Sequence, residues 1–169
     1  MSITMYQASV PQFIRMLGNL KGILEKAAAH AAARKIDESV LLNARLFPDM
    51  FALTRQVQIA TDFARGTGAR LAGIEPPAVA DNEQSFAELA ARLDAAIAYL
   101  HTLPAVKIDG SETREISRKV RGVEKTFAGI DYLLQYALPN FYFHVATAYA
   151  ILRHNGIEIG KPDFVGTFA

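Results

Sequence analysis

Apolar residues at the start of the chain fall at Tyr6, Val10, Phe13, Leu17, Leu20, Leu24, Ala27 and Ala31, in steps that alternate four and three. This is a narrow seam of 3.5-residue period kept up for about seven turns, the pattern of a long helix. Ser9-Val10-Pro11-Gln12 fits a capping box with proline in the first turn. Because Tyr6 already lies on the seam, the expected start is nearer Thr4, with a slight distortion at Pro11. Polar residues from Arg34 to Ser39 end the helix. A second helix is expected from about Met50 to Ala64, with Met50, Leu53, Val57, Ala60 and Ala64 on its seam. Asp49 stands at its N-cap position, and Gly66 and Gly68 follow as a stop. Between the two, Val40 to Phe47 is apolar enough to be a docked turn or short helix. Gly73 to Asp81, with Pro76-Pro77, reads as an extended connection.

The third helix announces its start. Ser85-Phe86-Ala87-Glu88 is a capping box, followed by Phe86, Leu89, Leu93, Ile97 and Leu100 on one stripe, and Pro104 closes it. From Val106 to Lys125 the pattern changes to β-branched residues among charges and glycine, the mark of a short hairpin or an irregular excursion. A short helical run, Gly129 to Ala137, precedes a last helix with Pro139 in its first turn, reaching Asn155 with Gly156 as its stop. Apolar residues from Phe141 to Leu152 point all round this helix, so it is expected to be covered on most sides and to form the centre of the protein. Four long periodic segments joined by short loops predict an all-α, antiparallel four-helix bundle, one domain over residues 1–169.

Composition narrows the function classes. The chain is 51% hydrophobic and 21% charged, the balance of a globular domain. A formal net charge of +1, with basic residues interleaved with acidic ones, leaves no footprint for nucleic acid. Cysteine is absent, which removes disulfides, thiolate metal sites and cysteine nucleophiles. Met1 to Val10 has neither a basic region nor a continuous apolar stretch, and Phe141 to Leu152 is too short to cross a bilayer. A cytoplasmic protein that spans no membrane is the expectation. There is no Gly-rich phosphate loop, no nucleophile elbow around any serine, and no carboxylate pair on an apolar helix face.

His144 is the residue that asks for an explanation. Helical spacing puts it on one face with Asn140 and Thr147, in the middle of an apolar helix. Each ring nitrogen there needs a partner, supplied either by neighbouring protein groups or by a bound ligand. His30, His101 and His154 lie near helix C-termini, where carbonyls attract them. On the second helix one of Gln56 and Gln58 looks into the bundle and the other outward, with Asp62 nearby. Tyr6, Tyr142 and Tyr149 either fill the core or line a cavity.

Pro139-Asn140-Phe141-Tyr142-Phe143-His144, Ala148-Tyr149-Ala150-Ile151-Leu152-Arg153-His154-Asn155-Gly156 and Gly160-Lys161-Pro162-Asp163-Phe164 resemble the DUF1993 family, a domain of unknown function. Met5-Tyr6-Gln7 and Phe86-Ala87-Glu88-Leu89 extend the likeness over nearly the whole chain. That family is similar in turn to the DinB/YfiT-like superfamily of metal-dependent four-helix bundles. There three histidines, one on the second helix and an i, i+4 pair on the last, hold a divalent metal. Some members transfer low-molecular-weight thiols or other small groups, and many are dimers. The resemblance places His144 on the later histidine of the pair and Asn140 where the earlier one would stand. The second helix has no histidine. One imidazole among neutral amides would hold zinc or nickel weakly.

The leading expectation is a DinB-like bundle with a degenerate metal site, of unknown function, binding a small molecule near His144. Asn140 and Gln56 would then be polar neighbours, and Tyr6 and Tyr149 walls. Two alternatives stand beside it. One is a metal-dependent transferase or hydrolase using His144 with oxygen ligands. The other is a structural module that dimerises through its first two helices, whose narrow seam suits association.

Overall fold

The computed structural model describes residues 2–167. Helix α1 spans Val10–Arg34, α2 Glu38–Leu42, α3 Leu53–Leu71, α4 Phe86–His101 and α5 Ala105–Ile108. Strands β1 (Glu115–Val120) and β2 (Val123–Ala128) form a hairpin. Helix α6 (Gly129–Asp131) runs through a π-helical segment, Tyr132–Ala137, into α7 (Leu138–His154), and α8 (Lys161–Val165) ends the fold. The four long helices form the bundle. In order around it, α1 packs on α4, α4 on α3, α3 on α7 and α7 on α1, while α8 lies along α1.

Helix α1 begins at Val10 rather than near Thr4. Pro11 has no N–H to give a preceding turn, so it sits in the first turn, where that donor is orphaned anyway. Tyr6 stays in the turn that leads in. Ser9 does not cap the helix with its side chain; its hydroxyl donates to the Met5 carbonyl at 2.6 Å. The seam from Val10 to Ala31 is buried inside the chain, facing α4, α7 and α8.

Helix α3 runs about two turns beyond the expected stop, straight through Gly66 and Gly68. Gly68 serves close approach and not termination. A Cβ there would lie 2.6 Å from Leu103 Cδ1 and 3.1 Å from Leu100 Cδ2, at the crossing with the end of α4. The N-cap is Ala52, and Asp49 caps nothing. The expected short helix between α1 and α3 is α2, capped by Asp37, whose carboxylate accepts from the Ser39 N–H at 2.8 Å. Ser85 caps α4 as expected, accepting from the Glu88 N–H at 3.1 Å, while the Glu88 carboxylate takes the Gln84 N–H instead of closing the box.

The segment before the last helix resolves into the hairpin alternative. Arg121 (φ 50°) and Gly122 (φ 82°) make its two-residue turn, the left-handed pair that matches strand twist. Ile116 is buried on its inner face, and Phe127 opposite it stacks on Tyr136. Proline at position 139 does not stop the helical run from Gly129. The π-helical turn before it shifts the bonding pattern where the i−4 bond is lost. Phe13 of α1 meets Phe141 of α7 edge to face at 4.8 Å, both fully buried, and ties the two helices across the core.

Helix α7 is not covered on all sides. Seven of its seventeen residues are buried, and Phe143 is 55% exposed. Thirteen of the nineteen residues of α3 are buried, so α3 is the central helix.

Candidate functional site

Where α3 crosses α7, His144 meets Gln56, at 2.7 Å from Nδ1 to Oε1. Both side chains are buried. The Gln56 amide nitrogen is already donating to the Phe51 carbonyl at 3.0 Å, which leaves its oxygen as the acceptor. That fixes the imidazole tautomer: Nδ1 carries the proton and donates, and Nε2 holds a lone pair. Among the described residues Nε2 has no hydrogen-bond partner. Burial, reinforced by the positive charge of Arg55, lowers the His144 pKa to about 4, so the ring is neutral at physiological pH. Phe63 lies nearly parallel to it at 6.1 Å, and Phe143 stands edge-on at 5.2 Å.

The other expected site residues go elsewhere. Asn140 donates to the Tyr136 carbonyl one turn back at 2.7 Å, bonding its own helix rather than His144. Thr147 does the same with Phe143. Tyr149 packs edge-on against Phe164 of α8 at 5.7 Å. Tyr6 is anchored through its backbone N–H to Asp109, at 2.9 Å, beside α5. Neither tyrosine walls the imidazole. His30, His101 and His154 make no hydrogen bond to a helix-end carbonyl among the described residues.

A divalent metal does not fit the side chains around His144. The charge that acts on it is the Arg55 guanidinium, the flanking groups are aromatic rings, the Gln56 amide is engaged at both ends, and the Asn140 amide nitrogen turns to its own helix. Among the described residues no three histidine or carboxylate side chains are placed to hold a metal ion together.

A second polar constellation lies along α3, hidden in a sequence that offered only Gln58 and Asp62 as hints. Arg92 of α4 is buried, and its Nε donates to Thr61 Oγ1 at 2.7 Å. Its two terminal nitrogens reach Asp62 (2.8 Å), Asp81 (2.9 Å) and Glu83 (2.8 Å). Arg65 pairs with Asp62 at 2.7 Å, and Arg55 with Asp81. Gln58 does not face outward; it donates to Glu83 at 2.8 Å. Burial pushes the Glu83 carboxyl up, but hydrogen bonds from Arg92 and Gln58 outweigh it and hold the group below its ordinary value. Three guanidiniums thus face three carboxylates, clasping the 76–83 connection onto α3 and α4. Two clefts, of about 400 and 550 Å³, open on either side of this clasp, and neither is lined by His144, Gln56 or Asn140.

No helix among the described residues is long and apolar enough to cross a membrane. A search of curated proteins gives no match. A crystal structure of a DinB family member protein from Shewanella denitrificans, at 1.83 Å resolution, is 43% identical, with a TM-score of 0.90 over 96% of this chain and 92% of that one. The model described as "Domain of unknown function (DUF1993)" matches residues 5–165. With the bundle, the hairpin insert and His144 on the last helix in place, the chain belongs to the DUF1993 family, on a DinB-like fold.

Proposed function

We propose that this protein binds a small organic molecule at the α3–α7 crossing, where a hydrogen-bond donor of the ligand meets Nε2 of His144 between Phe63 and Phe143. The observation that carries this reading is the locked tautomer. Gln56 holds the proton on Nδ1, so the remaining lone pair is a fixed, neutral acceptor in an aromatic surround. Exposed Phe143 gives that ligand an apolar wall. Self-association would use exposed side chains such as Phe47, Phe51 and Phe143, not the α1 seam.

The test is imidazole ¹⁵N NMR with phenol and indole as probes. The free protein should show His144 as the Nδ1–H tautomer, and each probe should shift the Nε2 signal saturably. The shift should vanish in the double variant His144→Leu, Gln56→Leu, which removes the pair without stranding either partner. A proton found on Nε2 in the free protein would sink the reading. Elemental analysis of untagged protein should show no stoichiometric zinc or nickel; about one metal per chain, lost in His144→Ala, would favour a metal-dependent enzyme instead.

A further inference from the structure

The cleft of about 400 Å³ lies between α3, the Pro76–Val79 connection, the inner face of β1 and Tyr132. Its walls hold three arginines, Arg65, Arg70 and Arg118, against one carboxylate, Asp62. Asp62 is already gripped by both Arg65 and Arg92, within 2.8 Å of each. The clasp described above is balanced, three guanidiniums to three carboxylates. Arg70 and Arg118 stand outside it, and among the described residues neither has a carboxylate within salt-bridge distance. Arg70 has only the Tyr132 hydroxyl, at 3.4 Å. The Nε of Arg118 is buried with no hydrogen-bond partner. Two uncompensated cations thus share one concave site, and one of them shelters a donor whose acceptor is missing.

The local sequence builds this arrangement. Arg118 alternates with Ile116 on the strand face turned toward the bundle, which carries a charged side chain to a half-buried position. Gly66, one turn before Arg70 on α3, has no Cβ, and the Arg70 guanidinium occupies the space a Cβ would fill. The rest of the lining is apolar: Ile59, Phe63, Pro77 and Val79. A guanidinium fork matches the paired oxygens of a carboxylate or phosphate, and an apolar floor of this size suits a small carbon skeleton.

We propose that this cleft binds a small organic oxyanion, with its carboxylate or phosphate head held by Arg70 and Arg118 and its apolar body lying on Ile59, Phe63 and Val79. The cleft shares Phe63 with the surround of His144 but is not lined by His144 itself, whose acceptor calls for a donor and not an anion.

Isothermal titration with phenyl phosphate, benzoate, inorganic phosphate and neutral benzamide tests it. At least one of phenyl phosphate and benzoate should bind saturably, in the range of about 0.1–1 mM expected of fragments; the tighter one identifies the head group. Arg118→Gln and Arg70→Gln should each weaken binding roughly tenfold or more, Arg118→Lys should lose less than Arg118→Gln, and Lys119→Gln, on the outer strand face, should change nothing. Gly66→Ala should weaken binding by displacing Arg70 while the helix itself is kept, which far-UV circular dichroism verifies. Absence of saturation by both aromatic anions would overturn the proposal. So would equal binding of benzamide, or arginine variants that fold and bind like the parent. Inorganic phosphate binding as tightly as phenyl phosphate would overturn the organic part, leaving an adventitious ion only.

Discussion

Helices α3 and α7 pack on each other more extensively than any other pair of helices in the molecule, yet their sequences mislead in opposite directions. Helix α7 carries Phe141, Tyr142, Phe143, Val145, Tyr149, Ile151 and Leu152, and still leaves Phe143 and Ala146 in solvent. Helix α3 carries three arginines, two glutamines, three threonines and an aspartate, and is the most enclosed element of the bundle. Hydrophobic content therefore does not rank helices by burial. Polar side chains are buried at little cost where partners close their hydrogen bonds, and Gln56, Gln58, Thr61 and Arg65 of α3 have such partners, several of them on α4, α7 and the 76–83 connection, while Thr67 Oγ1 has none among the described residues. Apolar side chains stay outside where no neighbouring element is left to cover them.

Breaking the polar closure should give the largest effect. Arg92→Met leaves buried Glu83 without its guanidinium, while Asp62 and Asp81 keep Arg65 and Arg55, and should destabilise the fold by about 3–5 kcal/mol in urea titration. A loss below about 1 kcal/mol would mean that the enclosure of α3 rests on apolar packing alone.

The α3–α7 crossing should register in the pH dependence of stability. With His144 lowered to about 4 in the folded protein against an ordinary 6.5, the unfolded chain binds more protons between those values. Stability should hold above pH 6.5 and fall as pH drops toward 4, by at most about 3 kcal/mol. Glu83, Asp37 and Asp163, held below their ordinary values, lose their contributions at lower pH still. The His144→Leu, Gln56→Leu pair should flatten the curve between 6.5 and 4; an unchanged slope would place the titrating group elsewhere.

Gly68→Ala sharpens the distinction between helix propensity and packing. Alanine favours the helix by about 1 kcal/mol, but its methyl meets Leu103 and Leu100, and overpacking of this kind costs about 1–3 kcal/mol. Thermal melting should show a net loss, and a gain would mean that α4 yields easily. On the exposed side of α7, Phe143→Ser should change stability by less than about 0.5 kcal/mol. A larger loss would show that Phe143 is covered in solution.

Helix existence was readable because each long element repeats its apolar stripe: Val10 to Ala31 on α1 and Phe86 to Leu100 on α4 are both continuous and both buried. The hairpin was readable only as one of two alternatives, since its strands are short and largely exposed. Glycine was misread at 66 and 68, because a stop and a close approach look the same until the neighbouring helix is in place. At the candidate site, His144 and Gln56 were legible as polar residues on apolar faces, whereas Asn140, Tyr6 and Tyr149 depended on rotations and partners that spacing does not specify. The Arg92 clasp left almost no local signal, because its members come from α3, α4 and a proline-containing connection tens of residues apart.

The sequence by itself determined the helices, the caps at Ser85 and Gly156, and the placing of one imidazole in an apolar helix, all set by contacts within a few residues. Tertiary structure alone decided which helix is central, which nitrogen of His144 holds the proton, and where Arg70 and Arg118 converge. These depend on long-range pairing and on the burial it creates, and no short stretch of chain contains that information.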